Sequence, residues 1–293
     1  MIDFLKYKRI YFAVSLVFVV LSVASLILFK LRPSIDFTGG TILELKTAVS
    51  CQLSTISEAL GDKDPGLVSV QSSGEGRCLL RSKPIDEAKK EEIVEALQGK
   101  FGEVEITRFE MVGPTLGKEL LTKTLIAVVL ATLVILGYVA WQFKNRMYGV
   151  CAILAMFHDT VILLGSFSLL GHFLGVEVDT LFVTAVLTTL SSSVHDTVVT
   201  FNSVREQVSG GRQSTVDSRQ FESIVNRAIN STIVRSLNNS FTIIFMLLCL
   251  VLLGGATIRW FAVALLIGTI LGTYSSTFVA SPLLLVWQRL TRD

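Results

Sequence analysis

Charge is what this sequence has least of. Only 17% of its 293 residues are Asp, Glu, Lys or Arg, against roughly 25% in a typical soluble domain. Too few ionised groups are present to cover a water-facing surface, which excludes a soluble globular enzyme. With 51% hydrophobic residues and a mean hydropathy of +0.62, a helical membrane protein is the default class. The motifs of cofactor chemistry are also missing. None of Cys51, Cys78, Cys151 and Cys249 forms a C-x-x-C pair, so zinc and redox centres are not expected. Cys151 and Cys249 sit in apolar runs, as inert filler does. No Walker A, HExxH, GxGxxG or nucleophile elbow occurs, so no metal, cofactor, enzymatic activity or nucleotide hydrolysis is expected. An ion gradient is the energy source that remains. A formal charge of +2 carries no footprint for a nucleic-acid partner.

What charge there is falls unevenly. Residues 31–119 hold 26 charged residues, 15 acidic and 11 basic, while the rest of the chain holds 9 acidic and 15 basic. The sequence therefore divides into an acidic soluble insert and a basic membrane part. The expected domains are 1–30 (N-terminus and first span), 31–120 (an extracytoplasmic α/β domain) and 121–293 (five further spans with a cytoplasmic loop at 204–229).

Six apolar stretches reach the roughly 20 residues that a bilayer crossing takes. They are residues 10–29, 124–143, 147–170, 180–203, 230–253 and 260–287, the last with tryptophan at both ends, as interface anchors are placed. The first span is too long for a signal peptide and lacks a small-residue cleavage site, so it reads as retained. Lys6, Lys8, Arg9, Lys144, Arg146, Arg205, Arg212, Arg219, Arg227, Arg289 and Arg292 fall on one side; Arg259, Glu177 and Asp179 occupy the opposite short loops. The positive-inside rule makes both termini cytoplasmic and the insert outward-facing.

Within the insert, residues 41–46 alternate like a strand and 51–60 read as a short helix. Residues 67–71 and 77–81 form a hairpin about 72–76, 85–97 has a helical period, and 104–111 closes with a strand. The order β-α-β-β-α-β is the ferredoxin-like split arrangement. It brings Cys51 toward Cys78, where an extracytoplasmic disulfide and two free thiols are both open readings.

Ionisable residues inside the spans stand out, since each costs at least about 2.5 kcal/mol at the bilayer centre. They are Asp159, Asp196 and Arg235, with His158 and His195 directly before the aspartates. Thr184, Thr188, Ser192, Asp196 and Thr200 recur every four residues and share one helix face. Such a stripe either holds water and relays protons or simply hydrogen-bonds neighbouring helices. Asp196 and Arg235 fall at similar depth, so an Asp–Arg pair and a snorkelling arginine are both open. Ala264, Gly268, Gly272, Ser276 and Ala280 form a small-residue ridge suited to close helix packing. The segment from Arg205 to Arg227, with Gly210 and Gly211, reads as a loop followed by a surface helix.

These residues, taken together, resemble the SecF family of the bacterial Sec export machinery over nearly the whole chain. The resemblance is carried by Ile35–Gly40 (I-D-F-T-G-G, holding Asp36, Phe37, Thr38, Gly39 and Gly40), His158–Asp159, and D-T-V-V at 196–199 with V-R-E at 204–206. It is also carried by Arg235 in V-R-S-L-N-N-S, by G-T-Y-S-S at 272–276 and by A-S-P-L-L at 280–284. It implies a six-span fold of the proton-driven RND superfamily in the bacterial plasma membrane. The implied partners are SecD, the SecYEG channel, often YajC, and unfolded preproteins. It also implies a proton relay centred on Asp196 and Arg235, to which Asp159, His158 and His195 are candidate additions. Two other readings stand beside it: an assembly subunit without its own ion coupling, and half of an RND small-molecule exporter, for which the insert is small. The chain departs from the family pattern at His195, where asparagine is usual, and at Asn202–Ser203, where Asp-Arg is usual.

Overall fold

The computed structural model describes residues 2–47, 51–72, 76–143, 145–209 and 217–291. The chain forms two compact units, Pro33–Ile126 and the remainder.

The first unit opens with a one-turn helix α2 (Ile35–Thr38), followed by β1 (Gly40–Lys46), α3 (Leu53–Leu60), β2 (Leu67–Ser72), β3 (Arg77–Ser82), α4 (Glu87–Phe101) and β4 (Glu105–Val112). All pairings are antiparallel and the strand order is β2-β3-β1-β4, the ferredoxin-like arrangement that the element order predicts. Alternation along β1 and β3 sends Leu43, Leu45, Cys78 and Leu80 to one face. There they meet Ile56 and Leu60 of α3 and Ile93 and Leu97 of α4. Cys51 and Cys78 are joined by a disulfide, with their Cα atoms 5.3 Å apart. Residues 73–75 of the expected turn at 72–76 lie outside the described residues.

The I-D-F-T-G-G motif is a shaped corner. The Asp36 N–H donates to Ser34 Oγ (3.2 Å), and Thr38 Oγ1 donates to Ser34 O (3.0 Å). Gly39 (φ +72°) and Gly40 (φ +132°) then take backbone conformations that side chains disfavour. A Cβ on Gly39 would stand 2.7 Å from Pro114 Cα, so the motif wraps the start of the next helix.

That helix, α5 (Pro114–Gln142), begins ten residues before the apolar run at 124 and passes from the first unit into the second. The second unit also holds α1 (Lys8–Leu28), α6 (Arg146–Leu174), α7 (Thr180–Ser209), α8 (Ser218–Leu253), α9 (Ala256–Ser275), a π-turn (Ser276–Ala280) and α10 (Ser281–Leu290). Among the described residues five helical stretches are long and apolar enough to cross a membrane; α9 to α10 count as one of these. At 30 residues α7 is equally long, but its Thr and Ser content lowers its hydropathy. One face of it is buried against α6, α8 and α9.

The lining of α1 inverts the usual amphipathic rule. Its buried residues are Ser15, Ser22 and Ser25, while its large apolar side chains point outward. Ser25 Oγ donates to Gly165 O (3.2 Å), and Ser168 Oγ lies 2.9 Å from Ser25 O and 2.8 Å from Lys30 O. A side chain at Gly165 would overlap Ser22. Small residues that let backbones approach are the usual membrane seam. Lys144, Gly210, Gly211, Arg212 and Arg292 lie outside the described residues.

Two predictions concern the α/β domain. Reducing Cys51–Cys78, which closes a 27-residue separation, lowers domain stability by about 3–4 kcal/mol. Hydrogen exchange of β1 and β3 in the intact protein, with and without reductant, measures this; equal protection refutes it. The second concerns Asp64, whose burial alone would raise its carboxyl. Donation from Leu67 N–H, Ser57 Oγ–H and Gly66 N–H outweighs that and holds it below its ordinary value. A depressed folded value gives stability that is present above the ordinary range and lost as pH falls. Asp64→Ala therefore costs about 1–2 kcal/mol at neutral pH, and the difference from the parent shrinks as pH falls below the ordinary carboxylate range, as the same exchange measurement reads.

Candidate functional site

Two polar sites occupy the helical unit. The first is enclosed. Asp159, at the middle of α6, is 6% exposed. Its Oδ2 accepts from Ser193 Oγ of α7 and Ser275 Oγ of α9, each at 2.6 Å. Its Oδ1 lies 2.9 Å from His158 Nδ1. Three polar partners on one carboxyl group replace the water it has lost. One side chain thereby ties three helices together.

The second site is open. Asp196 lies in a cleft of about 600 Å³ lined by Thr184, Thr188, Ser192 and His195 of α7, by Asn239 and Ser240 of α8, and by Thr269 and Gly272 of α9. His195 Nδ1 is 3.7 Å from Asp196 Oδ1, too long for a hydrogen bond. Each stripe hydroxyl donates to its own helix: Thr184 to Thr180 O, Thr188 to Thr184 O, and Ser192 to Thr189 O. Their lone pairs are what the cleft receives, so the stripe offers acceptors along the wall and no hydroxyl-to-hydroxyl chain. Thr200 falls outside the cleft; it is buried and donates to Asp196 O at 3.2 Å. Across the cleft, Thr273 Oγ1 donates to Ser240 Oγ at 2.6 Å.

Arg235 stands one turn before Asn239 on α8 and is exposed. No ion pair joins it to Asp196 among the described residues, so similar depth has not brought the two together.

The ridge on α9 decides how closely the walls approach. A Cβ on Gly268 would run into the side chain of Thr189, whereas one on Gly272 would sit 3.4 Å from Ser193 Cα, ordinary contact. Ala264, Ser276 and Ala280 are buried. Directly after Ser275 the helix widens into the π-turn, and Ser281 Oγ donates to Ser276 O at 3.0 Å. Such bulges often mark functional positions.

Residues 92–290 match the family model for the protein export membrane protein SecD/SecF, C-terminal, and residues 24–48 match the SecD/SecF GG motif. The chain belongs to the SecD/SecF family. It is 39% identical to the protein translocase subunit SecF of Thermobaculum terrenum, over 98% of this chain and 94% of that one. The SecF of Anaerolinea thermophila is 36% identical over the same shares. Among solved structures, SecDF from Thermus thermophilus, described as a translocon-associated membrane protein, matches with a TM-score of 0.84 at 30% identity. The match covers 98% of this chain and 39% of that one, so the chain spans about two fifths of the SecDF polypeptide.

Against this SecD/SecF background, the residues singled out by sequence separate into groups. Thr184, Thr188, Ser192, His195 and Asp196 meet in the cleft; His158 and Asp159 form the enclosed site; Arg235 and Thr200 stand apart from both. Asp36 to Gly40 belong to the corner before β1. Ser193, Ser275, Asn239 and Ser240 were not singled out as site residues. Ser193 is one position off the four-residue stripe, and Ser275 was visible within G-T-Y-S-S without any sign of its acceptor, 116 residues away.

Gly268→Leu is expected to cost about 1–3 kcal/mol through overpacking. Thr189→Ala should recover part of that loss, as coupled neighbours do. Thermal unfolding of the purified single and double variants in detergent checks this; independent, additive effects refute the contact.

Proposed function

We propose that this SecD/SecF-family chain is an accessory subunit of the Sec preprotein translocase, acting beside SecD and drawing on the proton gradient through Asp196. On this reading it lies in the bacterial plasma membrane with both termini in the cytoplasm. The α/β domain faces outward, where preproteins emerge from SecYEG; YajC and the surrounding lipid complete its neighbours.

The observation that carries the proposal is the half-open cleft. Thr184, Thr188, Ser191, Ser192 and His195 are exposed along the middle of a spanning helix, where lipid offers no hydrogen bonds. A second polar protein surface has to cover them, and the SecD half of a SecDF chain is a partner of that kind. Asp196 sits at the edge of this face with its side chain 19% exposed, reachable by a proton yet largely desolvated. Gaining or losing a proton there changes the charge that the two subunits bury between them. Exposed Arg235 is the nearest cation on α8 to complete that balance across the interface. Movement of the helices is then coupled to the α/β domain through the continuous helix α5.

Asp196→Asn tests this directly. The variant is expected to assemble with SecD at the parental level. Preprotein export into vesicles should fall to the rate seen when the gradient is dissipated. Export that still responds fully to the gradient sinks the coupling, and leaves an assembly subunit without its own ion step.

A further inference from the structure

Of the two aspartates, Asp196 carries the proposed coupling, while the enclosed His158–Asp159 pair has no part in it. We propose that this pair is a second proton-holding site, with the proton carried on His158 Nε2 and its presence passed to the π-turn by Ser275. This deepens the reading of the chain as a proton-coupled subunit and rests on it for its purpose, though not for its chemistry.

The chemistry follows from donor counting. Both serine hydroxyls, each 2.6 Å away, donate to Asp159 Oδ2. Those donors occupy Oδ2, and we assign the nitrogen that faces Oδ1 at 2.9 Å as His158 Nδ1–H. A neutral imidazole protonated at Nδ1 has a bare lone pair at Nε2. Nε2 is buried and has no hydrogen-bond partner among the described residues, and the side chain is only 9% exposed. A proton arriving from water bonds to that lone pair and displaces nothing on the pair. The net charge of the dyad changes from −1 to 0, and an imidazolium now faces the carboxylate. A buried charge without a counterion becomes a buried ion pair, the cheaper state of the two.

Other charges do not intervene. α6 itself also carries Arg146, Tyr148, Cys151 and His172, and the helices packed on it carry Lys8, Arg9 and Tyr11 (α1), Lys118, Glu119, Lys123 and Tyr138 (α5), His195, Asp196, Arg205 and Glu206 (α7), Arg259 and Tyr274 (α9) and Arg289 (α10); the π-turn carries none. None of them contacts His158 or Asp159 among the described residues. Asp196 lies within one turn of Ser193.

The output is the choice open to Ser275. Its hydroxyl lies 2.6 Å from Asp159 Oδ2 and 3.3 Å from Gly272 O. The same carbonyl accepts the N–H of Ser276, where the π-turn starts. Once His158 neutralises Asp159, the carboxylate attracts Ser275 less and Gly272 O becomes the competing acceptor. Gly272 also lines the Asp196 cleft. The two sites therefore meet at one backbone group.

The test is magnetic resonance of nitrogen-15 histidine in the full chain, assembled with its partner in lipid nanodiscs. The sequence has three histidines, and His158→Gln assigns the signal. His158 Nε2 is expected to pass from bare to protonated as pH is lowered across the range in which the chain stays folded. Asp159→Asn should hold at least tenfold less imidazolium at the same pH, the equivalent of one pH unit. Ser275→Ala keeps the carboxylate but removes one of its donors, and should hold about fivefold more imidazolium; it serves where Asp159→Asn does not fold. A His158 signal constant across this range, or one unmoved by either variant, overturns the proposal. A titrating His158 together with gradient-responsive export in Asp196→Asn supports this site and refutes only the coupling at Asp196.

Discussion

A carboxylate at the midpoint of a spanning helix must have its hydration replaced by its neighbours, and Asp159 draws that replacement from three helices. Ser193 and Ser275 come from α7 and α9, and His158 from its own helix. Those bonds fix the rotation of each helix about its axis, because turning any one by a single residue removes a donor from a buried charge. Breaking such a network costs several times the net value of making it. The other features of the helical unit are compatible with this requirement. Gly268 allows α9 to approach Thr189 of α7, and the π-turn begins directly after Ser275.

The open cleft is a consequence of the same orientation. With Ser193 turned inward to Asp159, Ser192 and Asp196 point to the adjoining sector of α7, where they line the open cleft with residues of α8 and α9. One helix thus serves an enclosed site and an exposed one. The enclosed site supplies fixed geometry. The exposed one supplies access and leaves polar surface that belongs against another protein.

The α/β domain depends on different means. It has a small core, a disulfide, and two glycines whose backbone turns the chain against Pro114. The domain and the helical unit share α5, whose apolar run is exposed along most of its length; Val139 is buried near its C-terminal end.

The sequence by itself determined the spans, the insert and its strand order, because apolar length and alternation are local properties of the chain. It also marked Asp159 and Asp196, since a carboxylate in an apolar run is conspicuous wherever it points. Helical spacing placed Thr184, Thr188, Ser192 and Asp196 on one face, and they do share one cleft. Which face meets which neighbour was decided only by the tertiary structure. Ser275 finds its acceptor 116 residues away, and no local period encodes that distance. Arg235 and Asp196 agree in depth yet stand apart, since depth fixes one coordinate and pairing needs three. Whether Cys51 and Cys78 bond was also left open; they do, because β1 pairs with β3 so that Leu45, six residues before Cys51, lies opposite Cys78.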